Sequence, residues 1–379
     1  METKLKLLSW LMLGMTFLAG CASSLPARHP SRTSAVDDAL TRYPPAQPER
    51  QPRTMNKYSA LRLSGDYMGY PALDQFITRM ERKHRFSREY LSSLFSQAQR
   101  KQWTLNYLAR EASPTAPPRP GAWTRYRAQF LTEQHINSGV AFWRQHSSAL
   151  RRASEHYGVP PEYIVGIMGV ETLYGRNVGS HRVIDALTTL AFDYPRRASY
   201  FEEELENFLV MTRAEKVDPT RPIGSYAGAM GLGQFMPSSF LRWAVDFDDD
   251  GRRNLWEPDD AIGSIANYFA QHGWRRGEAV VTPAIAMNVN AQDLESGYDT
   301  HYSPRDLANQ GIRPAAPLPG GESVRLLRLR ANSGDEYWLG HQNFYVITRY
   351  NHSTHYAMAV HQLAQAVKQR YVESFAASR

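Results

Sequence analysis

The chain contains one cysteine, Cys21, among 379 residues. No intrachain disulfide can form, and a Cys-rich zinc or iron–sulfur centre is excluded as well. The fold must therefore be held by side-chain packing, without covalent or thiolate-bound staples. The material for that is present: 42% of the residues are apolar and 12% aromatic, enough for two or three sub-domains around sizeable cores. Lys and Arg exceed Asp and Glu by 7. That mild, dispersed excess suits an acidic polymer or a membrane surface, and it forms no basic stripe of the kind nucleic acid requires.

The position of the cysteine carries further meaning. Lys4 and Lys6 precede an apolar run from Leu7 to Phe17, too short for a membrane span and of the length of a signal-peptide core. The run ends in Leu18-Ala19-Gly20-Cys21, which resembles the lipobox of bacterial lipoproteins. That resemblance implies removal of residues 1–20 and acylation of Cys21; the plainer reading is an ordinary signal peptide with an incidental cysteine. Ala22, where Asp would imply retention in the inner membrane, implies transfer to the periplasmic face of the outer membrane. An exported chain has no nucleic acid to meet. Residues 21–56 are Pro-, Ser- and Arg-rich with no apolar period and read as a solvated tether reaching roughly 100 Å.

Helical periodicity begins near residue 72, with Leu73, Phe76, Ile77 and Met80, then Tyr90, Leu91, Leu94 and Phe95 after the N-cap candidate Ser87. A Pro-rich crossing covers 111–121. A long helix is expected from about Thr132 to Tyr157, ended by Gly158, with further helices near 161–174, 196–213, 259–272 and 353–372. Between about 277 and 349 the texture turns to strand. Val324–Leu329 and Tyr337–Leu339 flank the hairpin signal Asn332-Ser333-Gly334-Asp335, Phe344–Ile347 reads as another strand, and a short helix is expected from Ser303 to Gly311. The fold class is α+β and mostly helical.

Within 161–174, Pro161 suits the first turn of a helix and Gly175 its close. Ile164, Ile167 and Met168 form an apolar stripe, and the next position of that stripe is Glu171. Burying a carboxylate without a partner costs several kcal/mol, so such a group tends to keep its proton near neutral pH. A general acid that protonates a glycosidic oxygen needs that property. The competing reading is a structural Glu paired with Arg176. A second feature is the glycine-rich loop from Gly224 to Pro237, where Ser225 and Gln234 can hydrogen-bond. It lacks the Gly-Lys-Ser/Thr of a phosphate cradle. A third is Asp246-Phe247-Asp248-Asp249-Asp250-Gly251 with Glu257, which fits the EF-hand loop pattern. Its carboxylates at positions 1, 3 and 5 converge on a hard cation, with the carbonyl of Arg252 at position 7. Arg253 at position 8 and Pro258 directly after Glu257 depart from that pattern. His352 and His355, three apart, have no acidic or Cys neighbour and are expected to play ordinary polar roles.

Taken together, Gly-Val-Glu-Thr-Leu-Tyr-Gly, Ala-Gly-Ala-Met-Gly-Leu-Gly-Gln-Phe-Met-Pro and Arg-Tyr-Asn-His-Ser-Thr-His-Tyr-Ala-Met resemble the lytic transglycosylases of the membrane-bound murein transglycosylase B family. The resemblance covers about residues 60–370. It implies a lysozyme-like core domain with a flanking α domain and a small β domain: an α domain at 57–150, a core at 151–275 with a calcium-type loop at 246–260, a β subdomain at 276–348 and a C-terminal helix at 349–379. It also implies cleavage of the β-1,4 bond between N-acetylmuramic acid and N-acetylglucosamine in peptidoglycan, without water, to a 1,6-anhydro product. Glu171 is then the catalytic acid and base. Ser225 and Gln234 become polar contacts near the cleaved bond, Tyr126, Tyr268, Tyr350, Asn351 and Tyr356 line the groove, and Arg196 and Arg197 meet substrate carboxylates. In that family the metal loop is longer and closes at the position of Asp260, so the ligands implied are Asp246, Asp248, Asp250, the Arg252 carbonyl and Asp260, with Glu257 the alternative closer. The ion implied is structural calcium, with sodium as the alternative, and no catalytic cofactor is expected. Expected partners are peptidoglycan strands, outer-membrane lipid through Cys21, and other cell-wall enzymes. A hydrolytic muramidase on the same fold and a catalytically silent, calcium-stabilised wall-binding lipoprotein are the alternatives.

Overall fold

The computed structural model describes residues 62–111, 121–287, 289–318 and 323–376. Cys21, the segment 1–20 and the tether 21–56 lie outside the described residues. In chain order the elements begin with α1 (Pro71–His84), α2 (Arg88–Phe95), α3 (Gln102–Glu111), α4 (Ala122–Arg127), α5 (Glu133–Gln145), α6 (Ser147–Tyr157) and α7 (Pro161–Thr172). Next come β1 (His181–Arg182), α8 (Val183–Asp193), α9 (Ala198–Ala214), β2 (Ile223–Gly224), α10 (Pro237–Trp243) and α11 (Pro258–Gln271). The last part holds β3 (Val281–Ala286), α12 (Pro304–Asn309), β4 (Ile312–Pro314), β5 (Arg325–Ala331), β6 (Gly334–Gly340), α13 (Gln342–Tyr350) and α14 (Thr354–Ala376). The fold is mostly helical with a small sheet. Its described residues form two compact units, one of 121–177 with 243–376 and the other of 62–111 with 178–242.

The first unit is built around α7. Pro161 occupies its first turn, where no N–H is needed. Every residue from Glu162 to Thr172 is buried, so the expected single stripe is part of a helix apolar on nearly all sides, as a core helix must be. Each fully buried Ile, Val or Met there contributes roughly 1.5–3 kcal/mol. α5 and α14 pack on α7, and α11 packs on α6 and α7. Gly169 permits that closeness, because a Cβ there would lie 2.7 Å from Leu363 of α14. α7 ends at Thr172, before Gly175. Leu173 and Tyr174 take left-handed φ of 49° and 57°, a conformation that costs a non-glycine residue roughly 1–2 kcal/mol. The compensation is capping, since the Leu173 and Tyr174 N–H groups donate to Gly169 and Met168 at 3.1 Å.

Two expectations are corrected in this unit. The helix expected from Thr132 to Tyr157 is two helices, because His146 leaves helical geometry at φ −111° and ψ 27°. Phe344–Ile347 is not a strand but part of α13, whose buried Asn343, Phe344, Val346, Ile347 and Thr348 follow a helical period. A run of four apolar residues cannot distinguish the two states by itself. The hairpin is as read: β5 and β6 pair antiparallel with Ala331 opposite Gly334. They complete a four-stranded sheet in the order β4-β3-β6-β5, which covers a core of Ala291, Leu307, Ile312, Val324, Leu326 and Leu339. Ser303 caps α12 by accepting from the Asp306 N–H.

In the second unit α8 packs on α9 and α3. β1 and β2 pair antiparallel, His181 opposite Gly224. Ser87 caps α2, accepting from the Tyr90 N–H.

Candidate active site

Glu171 sits in the last turn of α7 with 8% of its surface exposed. Burial drives its pKa up to about 8, opposed by a hydrogen bond from Tyr356. The Tyr356 hydroxyl of α14 donates to Glu171 Oε1 at 2.5 Å. Among the described residues no cation pairs with Glu171, so the structural pairing with Arg176 is not formed. No second carboxylate contributes to the shift either.

Three tyrosines feel the Glu171 charge. Burial first, and then Glu171, raises the pKa values of Tyr126, Tyr350 and Tyr356. All three phenols therefore keep their protons and act as neutral donors at physiological pH. α4 supplies Tyr126, the end of α13 supplies Tyr350, and Asn351 follows it. Tyr268 of α11 donates to the Arg349 carbonyl at 2.5 Å, and its ring lies 4.8 Å from that of Tyr350. The sequence pattern does not single out Trp123, and it gives His355 only an ordinary polar role; both rings pack beside Tyr126. Trp123 and His355 pack against each other at 5.6 Å, and His355 lies 5.5 Å from Tyr126. Trp123 could have been found, since it precedes Tyr126 by three residues on one helix face. His355 has an aromatic packing role, and burial lowers its pKa.

The acidic loop precedes α11 in the same unit. The carboxylate oxygens of Asp246, Asp248 and Asp260 lie within 4.8 Å of one another, as do those of Asp248, Asp250 and Glu257. Backbone amides shape the loop: Asp246 accepts from Asp250 and Gly251, and Asp250 accepts from Arg252. Asp260 is buried and accepts from Phe247 at 2.7 Å and Asn254 at 2.6 Å. Glu257 accepts from the Asn254 side chain at 2.7 Å. Converging carboxylate oxygens of this kind suit a hard cation.

Ser225, Gln234, Arg196 and Arg197 belong to the second unit. Ser225 Oγ accepts from the Ala227 and Ala229 N–H groups at 3.3 and 3.0 Å, so the hydroxyl shapes its own turn. Gln234 has a left-handed φ of 52°. Its side-chain NH2 donates to the Val178 and Gly231 carbonyls at 3.2 and 2.9 Å, which fixes the amide's orientation. Arg196 is exposed, while the Arg197 guanidinium lies over the Tyr200 ring at 4.2 Å.

The Transglycosylase SLT domain family matches residues 69–365. The membrane-bound lytic murein transglycosylase B of Escherichia coli is 51% identical over 315 residues, 82% of this chain and 86% of that one. The E. coli lytic transglycosylase SLT35 is similar in structure in two forms. In complex with bulgecin A it gives a TM-score of 0.78 at 50% identity, and in complex with calcium 0.77 at 49%. Each covers 86% of this chain and 100% of the other. SltB3 of Pseudomonas aeruginosa, in complex with NAG-anhNAM-pentapeptide, gives 0.69 at 28% identity, over 79% of this chain and 80% of that one. Among the described residues no helix is long and apolar enough to cross a membrane.

Proposed function

The chain belongs to the Transglycosylase SLT domain family, and we propose on that footing that Glu171 is the acid with which it cleaves peptidoglycan. It is a lytic murein transglycosylase, breaking the bond between N-acetylmuramic acid and N-acetylglucosamine. The observation that carries the assignment is a buried carboxyl with a pKa of about 8, held by a phenol and, among the described residues, paired with no cation. At neutral pH that group is protonated, and Tyr356 occupies Oε1, which leaves Oε2 to carry the acidic proton.

The reaction then balances with one carboxyl. Glu171 gives its proton to the glycosidic oxygen as the C1–O bond breaks. The muramoyl C6 hydroxyl bonds to C1 and returns its proton to Glu171, so the acid is restored and no water is consumed. A retaining hydrolase uses a second carboxylate about 5 Å away as nucleophile. Burial is the cause of the Glu171 shift, and among the described residues no second carboxylate contributes to it, which supports the transglycosylase reading over the retaining muramidase. Tyr126, Tyr268, Tyr350, Asn351 and Tyr356 are assigned to the sugar-binding wall, since a phenol ring covers an apolar pyranose face while its hydroxyl stays polar. Ser225 and Gln234 are assigned to contacts near the cleaved bond, and Arg196 and Arg197 to substrate carboxylates.

The acidic loop is assigned to calcium, held by Asp246, Asp248, Asp250, the Arg252 carbonyl and Asp260. A calcium complex of SLT35 supports this. The ion's role is structural, fixing the entry to the helix that carries Tyr268. Acylation of Cys21 is the proposed anchor to the outer membrane, in keeping with a relative named as membrane-bound. The test is Glu171→Gln on purified sacculi. The variant is expected to fold and release no anhydromuropeptides, and retained activity refutes the assignment.

A further inference from the structure

An ordered aromatic array lies on the second unit. Trp103 and Tyr107, four residues apart on α3, stack at 5.3 Å between ring centroids and 13°. His181 of β1 extends the array, 5.9 Å from Trp103 at 25°. Tyr226 meets both edge-on, 5.2 Å from Tyr107 and 6.0 Å from Trp103. Tyr226 is buried, whereas Trp103 keeps 42% of its surface exposed.

A single exposed Trp is ordinary protein surface. This one belongs to an array fixed from below by Asp185, which is fully buried. Asp185 accepts from Arg182 Nε at 2.9 Å and Nη2 at 2.8 Å, and from the Gln99 N–H at 2.9 Å. Lys101 Nζ lies 3.0 Å from the same carboxylate. Arg182 is the neighbour of His181, and Lys101 precedes Trp103 by two residues. One buried anion thus locks both backbone segments, the one that carries the exposed Trp103 and the one that carries the half-buried His181. Burial first, then the Lys101 charge, lowers the His181 pKa, so the imidazole adds an uncharged face. A preordered surface of this kind loses little side-chain freedom when a ligand settles on it.

The array also adjoins the glycine-rich loop. His181 pairs with Gly224 across the β1–β2 ladder, and Tyr226 directly follows Ser225. A Cβ at Gly179 would lie 2.0 Å from the Gly224 carbonyl oxygen, so glycine is what lets the two segments meet.

We propose that Trp103, Tyr107 and His181 form a stacking subsite for a pyranose ring of the glycan strand, beside the loop that carries Ser225. The C–H face of an N-acetylhexosamine covers an aromatic ring while its hydroxyls stay hydrated. The identity of the ligand rests on the glycan-cleaving function proposed above.

The test compares wild type, Trp103→Ala and Trp103→Phe as full chains on sacculus-derived glycan strands. Trp103→Ala is expected to raise KM about tenfold with kcat unchanged in a chain that still folds, the order expected for one lost aromatic contact, and Trp103→Phe to restore most of the affinity. Equal KM in a folded Trp103→Ala overturns the subsite. So does a loss of kcat and Tm that Phe does not repair, because that marks a structural residue. Cosedimentation with intact sacculi, in a Glu171→Gln background, separates the two proposals. Weaker retention on adding Trp103→Ala supports the subsite even if wild type releases no anhydro product, whereas retention unchanged by Trp103→Ala overturns it even if wild type is active.

Discussion

The Tyr356 hydroxyl donates to Glu171 Oε1 at 2.5 Å, joining two residues 185 positions apart in the chain. Both are buried, and among the described residues neither meets a cation that would settle the carboxyl as an anion. The pair therefore opposes two effects at one oxygen. Burial favours the neutral acid, and the phenol's hydrogen bond favours the carboxylate. Burial prevails, leaving a pKa of about 8.

The first consequence is a pH profile. Activity should hold through neutrality and fall through pH of about 8, tenfold per unit beyond it, as the acid loses its proton. An initial-rate series on solubilised glycan strands measures it. A limb centred near pH 4.5 instead means that Glu171 is an ordinary carboxylate.

Tyr356→Phe removes the donor that stabilises the carboxylate. The alkaline limb should then move to higher pH, and kcat should fall about tenfold through lost orientation. A purely structural tyrosine predicts lower Tm with an unshifted limb, so the pH profile of the variant decides between the two roles.

Glu171 also lowers stability as pH rises. A carboxyl with a raised pKa in the fold holds a proton that the unfolded chain releases above about pH 4.5, so stability is lost from there up to about pH 8. Glu171→Gln should be no more stable than wild type near pH 4 and more stable by on the order of 4 kcal/mol at pH 8. Denaturant titration at the two pH values checks both the sign and the trend.

How much of this was legible in sequence depended on distance along the chain. Glu171 could be read as buried because Ile164, Ile167 and Met168 precede it at helical spacing. That α7 is buried on all sides could not, since this depends on α14 arriving against Gly169. Tyr356 has no local pattern linking it to Glu171 and was reached only through the resemblance of its motif. The Asn332–Ser333 turn is legible because turn chemistry is local. Phe344–Ile347 is ambiguous in sequence because four apolar residues fit both periods, and the helix break at His146 is one that no Gly or Pro announces. Trp123 and His355, 232 positions apart by their numbers, meet only in the fold.

Calcium should raise Tm by several degrees, and Asp246→Ala should abolish the shift. Asp260→Ala and Glu257→Ala separate the two closing ligands: the former should remove the calcium response and the latter should leave most of it. A wild-type Tm unmoved by calcium contradicts the metal site.

The proposed role of Glu171 requires that a single buried acid cleave the glycan without water. Digestion of purified sacculi followed by mass spectrometry tests it most directly. Products one water lighter than the hydrolytic muropeptides are expected, made by wild type and absent with Glu171→Gln. Products of full hydrolytic mass, or anhydro products persisting in Glu171→Gln, would contradict it.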